Sequence, residues 1–161
     1  MTSTRAGQGR EPAAPAAVRD EVLRLGPEGQ LVGIVSHPAG VSPPSPPATA
    51  VIALPAGVLH RVGPHRLHVA LARRLAGRGL PALRLDLGGI GDSLATSHAA
   101  TFRESAVADT RAAMTGLEGA LGARRFVLFG ICAGADNALA TALVDDRVAG
   151  VVLVDAAIYP T

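Results

Sequence analysis

Apolar and polar positions change their period twice along this chain, and the changes divide it. Residues 1 to about 17 (MTSTRAGQGREPAAPAA) carry no apolar periodicity and are rich in Pro, Ala and Gly, which predicts a disordered tail. From Val18 to Leu25 and from Gln30 to Ser36 apolar and polar residues alternate, as in half-buried strands. Gly26-Pro27-Glu28-Gly29 between them supplies the residues of a hairpin loop. Ala39 to Ala48 (AGVSPPSPPA) reads as a stiff, polyproline-like connector, either a plain loop or a ligand for a proline-recognition module.

Beyond the connector, continuous apolar runs alternate with helical periods. Thr49 to Leu54 predicts a buried strand. Pro64 then starts a helix with Leu67, Leu71 and Leu75 at i, i+4, i+8 beside Ala70, stopped by Gly77 and Gly79. Leu80 to Leu87 is the next strand, followed by the glycine-rich loop Gly88 to Ser93. Thr101 to Leu121 places Phe102, Ala106, Ala113, Leu117 and Leu121 on one helical face, with Glu104 in capping-box register to Thr101. A strand from Phe126, a helix with a narrow face of Ala138, Leu139, Ala142 and Leu143, and a strand from Val148 to Val154 complete the series. An antiparallel pair followed by βαβαβαβ predicts an α/β domain over residues 18–161. Its sheet is mostly parallel, with helices on both faces and an N-terminal antiparallel hairpin.

Composition narrows the chemistry. The core must be aliphatic, because tryptophan is absent and the aromatic residues are Tyr159, Phe102, Phe126 and Phe129. All 15 basic residues are arginines scattered along the chain, and the net charge is +2, which argues against nucleic acid as a partner. A single cysteine excludes an intrachain disulfide framework. With neither a signal-peptide core nor an apolar run of membrane-spanning length, the expectation is a cytoplasmic protein without a membrane partner.

The candidate chemistry centres on FVLFGICAGADNALA, Phe126 to Ala140. A β-forming run ends at Gly130-Ile131-Cys132-Ala133-Gly134 and a helical segment follows at once. This is the strand, turn and helix setting of the G-x-S-x-G nucleophile elbow, with Cys132 in place of the serine. Glycines two positions either side let strand and helix pass closely. The free N–H groups of the following helix stabilise negative charge at such a cysteine, making it more reactive than one buried in a core. The pattern is short, and an inert core cysteine is its plain alternative.

Taken with the element order, Leu54 to Ser93 (LPAGVLHRVGPHRLHVALARRLAGRGLPALRLDLGGIGDS) and GICAGA resemble the α/β-hydrolase fold, from its first strand through its sixth. Within it they resemble a bacterial branch that includes hydrolases associated with exosortase systems. Those proteins combine an Arg-Gly-His-Arg stretch after the third strand, a D-x-x-G-x-G-D-S loop and a cysteine at the elbow. The resemblance implies an acyl hydrolase or acyltransferase acting on small-molecule esters or thioesters without a cofactor. Cys132 would be its nucleophile, and the Ala133 and Val58 N–H groups its oxyanion donors. Gly57, Arg61 and Arg66 fall where substrate is met, though a salt bridge that braces the loop is the favoured reading of Arg61 or Arg66. Asp86 and Asp92 read as loop-ordering residues.

Other constellations are poorer fits. Gly88-Gly89-Ile90-Gly91 does not meet the G-x-G-x-x-G spacing of a dinucleotide site. His60, His65 and His68 are interleaved with Arg61 and Arg66, which repel a cation, so no metal is expected. The triad of this fold runs nucleophile, acid, histidine. Asp155 stands where some members place the acid, yet no histidine follows Cys132. His98, in the loop after the fourth strand, is the upstream candidate for the base. Either the domain is incomplete, the front part of such an enzyme, or the standard mechanism has been abandoned; the competing reading is a non-catalytic remnant that acts as a binding or interaction module. The apolar strand Val148 to Val154 also predicts self-association, or pairing with a partner chain, along its outer edge.

Overall fold

The computed structural model describes residues 16–39, 49–95 and 101–157. Six strands form one sheet: β1 (Val18–Leu25), β2 (Leu31–Pro38), β3 (Thr49–Leu54), β4 (Ala82–Leu85), β5 (Arg125–Ile131) and β6 (Val148–Val154). Three α-helices join them, α1 (Leu67–Ala76), α2 (Phe102–Leu121) and α3 (Ala133–Ala142). The strand order is β1-β2-β4-β3-β5-β6. β1 and β2 pair antiparallel, β2 pairs antiparallel with β4, and β4, β3, β5 and β6 run parallel. The predicted fold class is the observed one. The predicted tail and polyproline-like connector fall mostly outside the described residues.

The hairpin turns at Gly26 and Gly29, both with positive φ, and Gly29 N–H donates to the Gly26 carbonyl at 3.1 Å. On one face of the sheet, α2 and α3 cover a core of Leu31, Ile52, Leu54, Leu83, Phe126 and Leu128, with Met114 and Leu117 from α2 fully buried against it. α2 begins with the capping box that the sequence predicts: Thr101 N–H donates to Glu104 Oε2 at 2.8 Å, and Glu104 N–H donates back to Thr101 Oγ1 at 3.3 Å. α1 covers the opposite face over β2, β3 and β4. Val127 and Phe129 of β5 pack at the margin of that cover, and beyond them Val152 and Val154 of β6 are 47% and 43% exposed among the described residues.

Four predicted features differ. The strand expected over Leu80 to Leu87 is shorter, Ala82–Leu85, flanked by single backbone bonds from Val51 N–H to the Pro81 carbonyl and from Asp86 N–H to the Val32 carbonyl, while Leu87 stays buried beyond its end. The helix expected from Pro64 is interrupted at once. Pro64–Arg66 is a single 3-10 turn in which His65 and Arg66 have φ of 47° and 61°, and α1 starts after it. α1 then buries His68, Val69, Ala72 and Ala76 instead of the Leu67, Leu71, Leu75 stripe. Small residues at Ala72 and Ala76 let the helix approach the sheet closely and push the leucines to its flanks, so Leu67 is 43% exposed. α3 likewise buries Gly134, Ala135, Ala138 and Thr141, while Leu143, its C-cap, is 77% exposed.

Candidate active site

The parallel strands end together at one edge. Leu54 of β3 pairs with Gly130 of β5, which pairs with Leu153 of β6, so the loops that leave these strands start side by side. β5 passes into α3 through one residue, Cys132, the N-cap of the helix. Its φ of 52° and ψ of −125° lie outside the regions that non-glycine residues populate. The conformation is held from both sides: Cys132 N–H donates to the Val154 carbonyl at 2.9 Å, and its carbonyl accepts from Ala135 N–H at 2.8 Å. The side chain is exposed at the edge.

Both flanking glycines are sterically required. A Cβ on Gly130 would collide with the backbone of Gly134, and one on Gly134 would lie 2.6 Å from the Pro55 carbonyl oxygen and 2.8 Å from that of Leu54. The first turn of α3 therefore rests directly on the end of β3. Ala133 occupies the first helical position, where a backbone N–H has no partner within the helix. From Pro55 the chain enters a turn closed by Leu59 N–H donating to the Ala56 carbonyl at 3.1 Å. Gly57, with φ 57°, and Val58, 85% exposed, are its central residues. The structure thus brings Cys132, Ala133, Gly57 and Val58 to one edge. Asp155 joins them, because it follows the residue whose carbonyl receives the Cys132 N–H. It is exposed and has φ 51°. His98 lies outside the described residues.

Arg61 is engaged by carboxylates. Its N–H donates to Asp86 Oδ1 at 2.6 Å, its guanidinium to Asp86 Oδ2, and its second terminal nitrogen to Asp92 Oδ2 at 2.6 Å. Burial would lower the guanidinium pKa, but the hydrogen bonds and charges of Asp92 and Asp86 outweigh it and raise the pKa overall. Of the two sequence readings of Arg61, the geometry matches the brace. Arg66, exposed at the N-cap of α1, has no such engagement among the described residues.

The D-x-x-G-x-G-D-S loop is explained by the same carboxylate. Asp92 N–H donates to Asp86 Oδ2 at 3.1 Å, and Gly91 (φ 56°) passes where a Cβ would strike the Asp86 carboxylate. Ser93 Oγ donates to the Asp86 carbonyl and accepts from Val32 N–H, both at 2.8 Å, tying the loop to β2. Asp109 of α2, 5% exposed, accepts from Gly88 N–H at 2.8 Å. Sequence reasoning passed over Asp109, although a carboxylate on the apolar face between Ala106 and Ala113 signals a buried partner.

The histidines do not converge. No group of three or more metal-ligating side chains occurs among the described residues. His65 and His60 are exposed, whereas His68 is fully buried under the loop, edge-on to Phe129 with ring centroids 5.7 Å apart. Burial, and then the nearby Arg84 guanidinium, lower its pKa, so His68 is a neutral packing residue.

No family model matches the sequence, and neither does any curated protein. Solved structures do match. A dienelactone hydrolase-like promiscuous phosphotriesterase from metagenomic libraries superposes with a TM-score of 0.67 at 18% identity, over 91% of this chain and 62% of that one. The α/β hydrolase GrgF from Penicillium gives 0.65 at 24%, over 88% and 47%. A cold-adapted esterase from an Arctic intertidal metagenomic library gives 0.61 at 21%, over 94% and 65%. The fold is that of the α/β hydrolases, and the chain spans between about half and two thirds of these three structures' lengths. Among the described residues no helix is long and apolar enough to cross a membrane.

Proposed function

We propose that this chain carries the nucleophile half of a cysteine-dependent acyl hydrolase or acyltransferase acting on small esters or thioesters. The observation that supports it most is Cys132 held at φ 52° between a parallel strand and the first turn of a helix, its side chain exposed. Backbone strain of about 1–3 kcal/mol persists at a residue only where the surroundings impose it. In the proposed reaction the Cys132 sulfur bonds to the acyl carbon as the ester C–O bond breaks. The departing alcohol takes up the proton released by the thiol. Water then cleaves the thioester and restores the thiol, or another acceptor takes the acyl group.

The Ala133 and Val58 N–H groups face the oxyanion, each preorganised donor worth about 3 kcal/mol. Asp155 serves as the acid that orients a base, and among the histidines of this sequence His98 is the candidate for that base. Arg66 is the arginine free to meet an anionic substrate group. The combination of the elbow cysteine, the Asp86 to Ser93 loop and the stretch after β3 supports the branch that includes exosortase-associated hydrolases. A cytoplasmic setting keeps Cys132 reduced. The outer edge of β6, which pairs only with β5 among the described residues, takes up a second copy or a partner strand.

The test is a mass measurement after treatment with p-nitrophenyl acetate. An acetyl adduct on Cys132, absent from Cys132→Ala, is expected. A folded protein whose Cys132 is neither acetylated nor alkylated by iodoacetamide would refute the assignment and leave the interaction-module reading.

A further inference from the structure

The turn at Ala56 to Leu59 is exposed, and a single hydrogen bond closes it. Its position is therefore set at its ends. Upstream, Gly134 packs against the Leu54 and Pro55 carbonyls. Downstream, Arg61 is fastened to Asp86, whose side chain has no solvent exposure. A buried carboxylate is stable only when its oxygens are paired, and those of Asp86 take three donors from two loops: Arg61 N–H, the Arg61 guanidinium and Asp92 N–H. Because Arg61 is gripped by backbone and side chain together, a shift of the loop breaks both bonds at once. Asp92 takes the other end of the guanidinium, fixing its plane. Ser93 anchors the Asp86 carbonyl to β2, so the clamp is founded on the sheet.

We propose that Asp86, acting through Arg61, is the positioning residue that holds the Val58 N–H at the reacting edge beside Cys132. The assignment rests on reading Cys132 as the nucleophile and Val58 as an oxyanion donor. Neither Asp86 nor Arg61 touches the reacting atoms. They decide whether the donor is in place before substrate arrives, which is where a displacement of an ångström costs about a hundredfold in rate.

Asp86→Asn and Arg61→Gln in the full chain test this with three measurements. These are acetylation of Cys132 by p-nitrophenyl acetate, its alkylation by iodoacetamide, and backbone hydrogen exchange over residues 56–63. Alkylation at sulfur needs no oxyanion donor, so its rate stays at the wild-type value while acetylation falls about 10- to 100-fold. Exchange over 56–63 accelerates while α2 and the hairpin keep wild-type protection. Arg61→Lys, which keeps the charge but cannot span both carboxylates, falls between. Equal losses of acetylation and alkylation, or unchanged exchange over 56–63, would overturn the proposal. If wild-type Cys132 is alkylated but never acetylated, the nucleophile reading fails, and exchange decides the clamp by itself. Should Asp86→Asn not fold, Arg61→Gln carries the comparison.

Discussion

Two glycine-to-alanine changes, chemically identical and both in helices, are expected to move stability in opposite directions. Gly119 lies on the exposed side of the last turn of α2, with nothing within 4 Å of a built Cβ. Replacing it with alanine removes backbone freedom from the unfolded chain and stabilises the protein by about 0.5–1 kcal/mol. Gly134 gains the same propensity term in α3. Its Cβ, however, would stand 2.6 Å and 2.8 Å from two backbone carbonyl oxygens, closer than the 3.0 Å that real Cβ contacts respect. These are backbone atoms at the end of a central strand, with no side-chain rotamer to yield. The helix must lift from β3 by several tenths of an ångström, an overpacking cost of about 1–3 kcal/mol before any loss of the Ala135 N–H bond to Cys132. Because the propensity gain is common to both, the two variants should differ by about 1–3 kcal/mol in urea denaturation followed by circular dichroism, Gly119→Ala above wild type and Gly134→Ala at or below it. Since Pro55 leads into the Gly57-Val58 turn, Gly134→Ala should also slow acetylation of Cys132, while Gly119→Ala leaves it unchanged. A Gly134→Ala protein stabilised as much as Gly119→Ala would show that α3 does not rest on the Leu54 and Pro55 carbonyls.

Three further outcomes follow from charge and from the sheet edge. His68 has a folded pKa lowered first by burial and then by Arg84, so as pH falls below about 6.5 the unfolded chain takes up the proton first. Stability is then independent of His68 above that pH and declines below it by at most about 1.4 kcal/mol per pH unit until the folded pKa is reached. His68→Leu should flatten this decline between pH 6.5 and 5, and equal slopes would contradict the burial. Asp145 accepts from Arg147 and Arg111, and the Arg147 hydrogen bonds hold its carboxyl well below the ordinary carboxylate range against the opposing effect of burial. Its contribution is present above pH 3.8 and lost as pH falls further, so Asp145→Ala should cost about 2 kcal/mol at pH 7 and show a shallower acid transition. Sedimentation of the isolated chain should show concentration-dependent self-association through β6. A clean monomer with protected amides at residues 151–154 would mean that the edge is covered.

The sequence made the sheet legible because its strands announce themselves by period, and one crossover helix by its cap. β1, β3 and β6 begin and end where the apolar runs do, and the Thr101 capping box sets the start of α2. Cys132 was readable for a similar reason, since two glycines at fixed offsets record a steric demand that the structure then shows as collisions. What the sequence concealed were properties of pairs of elements. The leucine stripe of α1 suggested the wrong face, because a helix that meets the sheet through Ala72 and Ala76 is placed by the room beneath it. The brace favoured for Arg61 is what the structure shows, but its exact partners, 25 and 31 residues away across β4, are set by the strand order. The buried Arg84, which reaches Asp20 of β1 at 3.2 Å, depends likewise on a neighbour that only the strand order reveals.

Among the described residues, four non-glycines have positive φ: His65, Arg66, Cys132 and Asp155. None of them lies in the hairpin or at the opposite end of the sheet. His65 and Arg66 stand just before α1, Cys132 between β5 and α3, and Asp155 just after β6, so all four occupy the segments that leave the carboxyl ends of the parallel strands. Chance loops would scatter such conformations, and glycine would carry them without strain, as it does at Gly26 and Gly29 of the hairpin. Here side chains are retained at a cost of order 1–3 kcal/mol each, and the chain has glycine enough elsewhere to show that the alternative was open to it. A strained side chain is worth keeping where its own chemistry is needed, and these four are a thiol, a carboxylate, a guanidinium and an imidazole. Replacing each in turn with glycine separates the two roles. Every replacement should relieve strain and leave the fold intact, and the replacements at Cys132 and Asp155 should abolish or slow acyl turnover. If Asp155→Gly gains stability and turns over as wild type does, the strain at the end of β6 belongs to the loop alone, and the acid must be sought elsewhere.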